Sequence, residues 1–279
     1  MKEFETWMDY WKFAHKVCHN YRYFHDDWLS NFFQNIIDSA KARTEVIPKG
    51  KILFRAQLGN TTVPMRTPIE TEKGRELKEI ERSPVPYPPE RMKPIPSEAR
   101  EGRANPKGIP YLYLANKEET ALSEVRPWQD SRITLAKFKT VKQLKVINCS
   151  KDRAQKVWYM GQNPSSTEKE ELIWTLINHA FSVPTTSSDS KADYCPTQIL
   201  AEFFKRNEFD GVVYRSMLGS KDGYNIALFD LQSAEVVDVS LYTTKSLNYE
   251  FERIKKCNIG SWYLYSDMIE KEYEDFVKD

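Results

Sequence analysis

At 279 residues the chain can bury a sizeable core, in one main domain with an appendage, and its 41 Lys and Arg against 40 Asp and Glu give no electrostatic reason to expect nucleic-acid or membrane binding. The four cysteines (Cys18, Cys149, Cys195 and Cys257) form no CxxC pair, which argues against a structural zinc site or a disulfide framework and fits a reducing compartment. The start Met-Lys-Glu-Phe-Glu is not a signal peptide and no apolar run is long enough to span a bilayer, so the expected location is cytoplasmic.

Residues 1–48 read as an amphipathic helical pair. Trp7, Tyr10, Trp11, Ala14, Val17 and Cys18 recur at helical spacing. After a break near His25-Asp26-Asp27, Trp28, Leu29, Phe32, Phe33, Ile36 and Ile37 do so again, so these side chains must cover the main domain or a partner. His15 and His19 lie one turn apart but lack a third metal ligand. Lys51–Ala56 reads as a strand carrying Arg55. From Gly59 to about Pro96 proline is frequent and periodicity weak, which reads as a long loop placed to close over a ligand. Residues 102–128, GRANPKGIPYLYLANKEETALSEVRPW, read as loop, strand, turn and helix. Asn116 is expected to cap that helix with Glu119 completing a capping box, and Pro127 to stop it.

Strands follow at 132–140 and 144–148, then a helix at 168–181 and a polar loop at 182–191. Pro196 opens a helix whose core face is Ile199, Leu200, Phe203 and Phe204. Further strands are expected at 212–216, 225–229 and 234–241. Residues 242–279 form an extension read as partly helical.

Six candidates sit on short consecutive elements: Arg55, Arg103, Tyr113, Glu124, Ser216 and Asn225, five of them at or beside strand or loop ends. Each has a plainer role open to it. A lone Arg is commonly a solvated charge, Tyr113 alternates with Leu112 and Leu114 as in sheet packing, Glu124 fits an exposed helix face, and Ser216 and Asn225 suit turns. There is no Gly-rich phosphate loop and no readable nucleophile–base–acid triad, and His179 lies mid-helix.

Taken in order, LFRA, the Pro-rich stretch, GRANPKGIPYLYLA, TALSEVRP, CPTQILAEFFKRNEFDGVVYRSM and NIALFD resemble the RES-domain family, which is named for its Arg, Glu and Ser. The resemblance covers about Lys51 to Val239. It implies an α+β fold: a mixed, split β-sheet like that of ADP-ribosyltransferases, with flanking helices, over 49–241. By motif match Arg55, Glu124 and Ser216 stand at the family's Arg, Glu and Ser, and Arg103 and Tyr113 at positions lining the same pocket. Ala104 departs from the larger apolar residue often found there.

The resemblance further implies an NAD+-consuming toxin of a bacterial toxin–antitoxin pair, with NAD+ as substrate, no metal or other cofactor, and an antitoxin as partner. Self-association is expected, if anywhere, through the aromatic N-terminal helices. The chemistry of the residues agrees. Two arginines suit a pyrophosphate, a tyrosine ring suits a cationic nicotinamide, and a fixed carboxylate suits the oxocarbenium-like cation formed when the nicotinamide–ribose bond breaks. Asn225 and Ser216 would position ribose, phosphate or carboxamide. The acceptor stays open: water, phosphate, or a protein or nucleic-acid side chain. A non-catalytic RES-like binding module and a nucleic-acid binder are the alternatives.

Overall fold

The structure, a computed structural model, describes residues 3–71, 74–151, 164–183, 194–219, 221–248 and 250. The chain divides into two compact units, residues 1–245 and 246–279. Most of the second, with the helix expected there, lies outside the described residues, as does most of the polar loop expected at 182–191.

The N-terminal helical pair is present. Helix α1 (Asp9–His15) runs into a π-helical turn, Lys16–Asn20. Helix α2 (Asp27–Ala40) begins where Asp26 accepts a hydrogen bond from the Leu29 amide at 2.8 Å, which is the physical content of the break in the pattern. Its apolar face (Leu29, Phe32, Ile36) packs with Phe13 and Val17 into one core cluster shared with Ile173, Phe181 and Phe204 of the later helices.

An eight-stranded sheet carries the rest, in the order β1-β7-β8-β9-β5-β2-β6-β10. The strands are β1 (Thr44–Ile47), β2 (Ile52–Leu58), β5 (Leu112–Ala115), β6 (Arg132–Thr140), β7 (Leu144–Asn148), β8 (Gly211–Arg215), β9 (Tyr224–Leu228) and β10 (Ala234–Thr243). Only β7 and β8 pair in parallel. Between them in sequence lie α4 (Ser166–Ser182) and α5 (Cys195–Arg206), the long crossover that a parallel pair demands. The pleat alternates its burial. Val212, Tyr214 and Ala227 meet the helices on one face, while Val213, Ile226, Leu112 and Phe138 fill a second cluster on the other.

The sheet is split as well as mixed. Strand β5 pairs with β9 from Leu112↔Leu228 to Ala115↔Asn225, but meets β2 only at Phe54↔Ala115. Helix α3 (Glu118–Glu124) covers that joint, with Ala121 against Ala115 and Leu135.

Two expectations need correction. Much of the Pro-rich stretch is no loop: β3 (Thr61–Thr71) and β4 (Gly74–Val85) form a separate two-stranded ribbon. Pro64, Pro68 and Pro84 are tolerated because each strand of a ribbon has a free edge, where a missing N–H breaks no ladder. Nor does Asn116 cap α3. Lys117 holds the cap position without a side-chain capping bond, and Asn116 instead accepts from the Tyr224 amide at 2.8 Å and donates to Asp222 O at 3.1 Å.

Candidate active site

Glu124 ends α3, and Pro127 soon after keeps the helix short. Ser216 Oγ lies 2.6 Å from Glu124 Oε1, and Asn225 Nδ2 donates to the same oxygen at 2.6 Å. A hydroxyl has one proton, and the carboxylate is a stronger acceptor than the Leu218 carbonyl, which is 2.8 Å from the same Oγ. The carboxylate is thereby fixed through one oxygen. Its Oε2 has no protein partner among the described residues, and Glu124 is exposed, so that oxygen is available to a ligand.

The fold sets this arrangement from three sides. Asn225 on β9 stands directly opposite both Tyr214 of β8 and Ala115 of β5. Ser216 follows β8 and closes the loop to β9, its amide donating to Gly223 O at 2.9 Å. Gly219 packs that loop against α3: its φ is +79°, and a Cβ there would lie 2.9 Å from Ser123 Oγ. Asn116 ties the far end of the same loop to β5.

Tyr113 organises the second part of the site. Its hydroxyl donates to Asn105 Oδ1 at 2.6 Å and accepts from the Ala104 amide at 3.0 Å. Burial pushes this phenol's pKa up, so it stays protonated. Gly102 is needed for this packing, since a Cβ there would come within 2.7 Å of both Tyr113 Oη and Asn105 Oδ1. Ala104, whose amide makes that bond, is fully buried. Helix α5 holds the same loop. Gln198 Nε2 donates to Gly102 O at 2.9 Å and Asn105 O at 3.1 Å, and Thr197 Oγ1 donates to Arg103 O at 2.5 Å.

The arginines are placed less directly. Arg103 donates through Nη1 to Phe181 O at 2.9 Å, at the C-terminal end of α4; its Nε and Nη2 have no protein partner among the described residues. Arg55 donates through Nη1 to Tyr113 O at 3.2 Å, across the split where β2 and β5 part. Its Nε is buried with no partner among the described residues, and burial lowers the guanidinium's pKa. Arg55 makes no bond to Glu124 or Ser216 among the described residues.

Tyr214 was not singled out from the sequence. It is 4% exposed and stacks on Phe181 with ring centroids 5.5 Å apart. Burial raises its pKa, and it stands directly opposite Asn225 in the pairing of β8 with β9. Its signal in the sequence was position alone, two residues before Ser216 and so one strand step from the site.

The RES domain family model matches residues 77–252. The chain belongs to the RES domain family. Five of the six candidates fall inside that span. Arg55 lies before it and is bonded to Tyr113 O, within it. Comparison with curated proteins gives no match. Among solved structures, a chain of the M. tuberculosis MbcT-MbcA toxin-antitoxin complex is similar at 11% identity and a TM-score of 0.37, covering 75% of this chain and 92% of that one. No helix among the described residues is long and apolar enough to cross a membrane, and no group of His, Cys, Asp or Glu among them could hold a metal ion.

Proposed function

We propose that this RES domain cleaves the nicotinamide–ribose bond of NAD+, as a glycohydrolase or phosphorylase, and that it acts as a toxin restrained by a protein antitoxin. The observation that carries the reading is the pair of donors, Ser216 and Asn225, converging on one oxygen of Glu124. This leaves Oε2, oriented and charged, for the reacting ribose. A carboxylate fixed in advance stabilises a developing ribosyl cation without reorganising at the moment of reaction. Family membership and the resemblance of the ordered motifs support the substrate.

In the proposed reaction the bond from ribose C1′ to the pyridinium nitrogen breaks, and its electron pair neutralises the departing nicotinamide. Glu124 Oε2 steadies the cation at C1′ and takes the proton of an attacking water; with inorganic phosphate as acceptor the product is the ribose 1-phosphate ester. Arg55 and Arg103 supply positive charge beside Tyr113 for the pyrophosphate. The Tyr113 hydroxyl is engaged by the 102–105 loop, so it is the ring face that is left to meet the nicotinamide.

The test is nicotinamide release from NAD+ by the purified protein, with products identified with and without phosphate. ADP-ribose signifies water as acceptor, a phosphorylated sugar signifies phosphate, and label transferred to a macromolecule signifies an ADP-ribosyltransferase. NAD+ left intact by micromolar protein over hours would reduce the chain to a binding module.

A further inference from the structure

A residue outside the family match, Cys18, brings a second chemistry into the fold. Cys18 lies in the π-helical turn after α1, and Cys195 is the first residue of α5. Far apart in sequence, the two meet in space. Cys195 Sγ donates to the Val17 carbonyl at 3.3 Å, which sets its thiol beside the residue that Cys18 follows in the chain. Cys195 and Cys149 belong to one core cluster, and Cys18 packs against it. None of the three is in a disulfide.

The three thiols differ in reactivity. Cys149 is 1% exposed, and burial pushes its pKa up to about 12, which keeps it an inert thiol. Cys195 is also buried, but the neighbouring Cys18 thiol and the Arg22 charge lower its pKa, and it sits at a helix N-terminus, where a thiolate is favoured. Cys18 is half-buried, and so is the member that a reagent reaches first.

We infer that Cys18 and Cys195 are a reversible dithiol, which closes to a disulfide by exchange with a small-molecule disulfide and ties the N-terminal helical segment to α5. The step balances. The Cys18 thiolate attacks oxidised glutathione, forming a mixed disulfide and expelling one glutathione thiolate. The Cys195 thiolate then attacks the Cys18 sulfur and expels the second. Both protein protons end on the two glutathiones, and the two electrons leave the protein to reduce one disulfide. The consequence reaches the site because Thr197 and Gln198, in the turn that Cys195 opens, hold the carbonyls of Gly102, Arg103 and Asn105. The closed loop is long, close to the 178 positions between Val17 and Cys195, so the bond restricts the unfolded chain strongly.

The experiment treats the full chain with oxidised glutathione, followed by intact mass, non-reducing peptide mapping and thermal melting. Expected are the loss of two hydrogen atoms, a linked Cys18–Cys195 peptide, and a melting temperature raised by about 5 °C, all reversed by dithiothreitol. Cys18→Ser and Cys195→Ser each abolish the link, and Cys149→Ser leaves it in place. Should Cys195→Ser fail to fold, Cys18→Ser decides alone. A lasting glutathione adduct on Cys18 without a cross-link, a link made by Cys149 or Cys257, or a native protein that does not react would each overturn the inference.

Discussion

Glu124 Oε1 accepts two short bonds, and the chemistry proposed for it depends on the oxygen they leave over. Glu124→Gln keeps the shape and removes the charge, so NAD+ turnover should fall about 100-fold or more with the fold unchanged. Retained turnover would take the carboxylate out of the mechanism. Ser216→Ala removes one of two donors and leaves Asn225, so a smaller loss, about 10-fold, is expected. A loss as large as that of Glu124→Gln would make Ser216 an independent catalytic group. Gly102→Ala tests the loop: its Cβ has no room beside Tyr113 Oη and Asn105 Oδ1. The variant should lose about 2 kcal/mol in denaturant titration; if it melts like wild type, the loop is free to shift.

Among the elements, the split between β2 and β5 and the loop from β8 to β9 decide where the candidate groups lie. Asn116 bridges the two, bonded to Tyr224 N and Asp222 O. Asn116→Ala should cost about 1 kcal/mol and speed amide hydrogen exchange in residues 216–223, while β6 and β10 stay protected. Uniform protection across the loop would show that Ser216 and Gly219 hold it without help. Residues 102–128 were legible as loop, strand and helix because their turn residues, apolar run and terminal Pro127 are local signals. The role of Asn116 was not legible, since an Asn before a helix signals a cap and its true partners lie more than a hundred residues away. The ribbon β3–β4 was hidden for a related reason: proline argues against a central strand but not against one with a free edge.

For the molecule as a whole, the N-terminal helices and α4 and α5 share one core. Phe13 and Phe32 stack there with centroids 4.8 Å apart. Phe32→Ala should destabilise by about 3–5 kcal/mol, although Phe32 lies outside the family match. An unchanged melting curve would mean that the helical pair is dispensable. The buried phenols set a pH limit. Tyr10, Tyr113 and Tyr214 have pKa values raised above the ordinary value of 10.0 by burial, so the folded state holds their protons more tightly than the unfolded chain does. Stability is therefore intact below about pH 10 and falls as the pH rises through and beyond it. Denaturation midpoints at pH 8 and pH 11 should differ in that sense, and equal midpoints would contradict the burial of these groups.

The sequence alone determined the strands and helices with local periodicity, the order of the motifs and hence the family, because hydrophobic repeats, proline and glycine act over a few residues. It also supplied the identities of Glu124, Ser216 and Asn225. Only the tertiary structure decided that these three meet at one carboxylate oxygen, that Arg55 bonds Tyr113 O across the split, that Tyr214 stands opposite Asn225, and that Cys195 lies against Val17 beside Cys18. Each of these depends on strand order and register, which are set by burying both faces of the sheet at once and leave no mark in the spacing of residues along the chain.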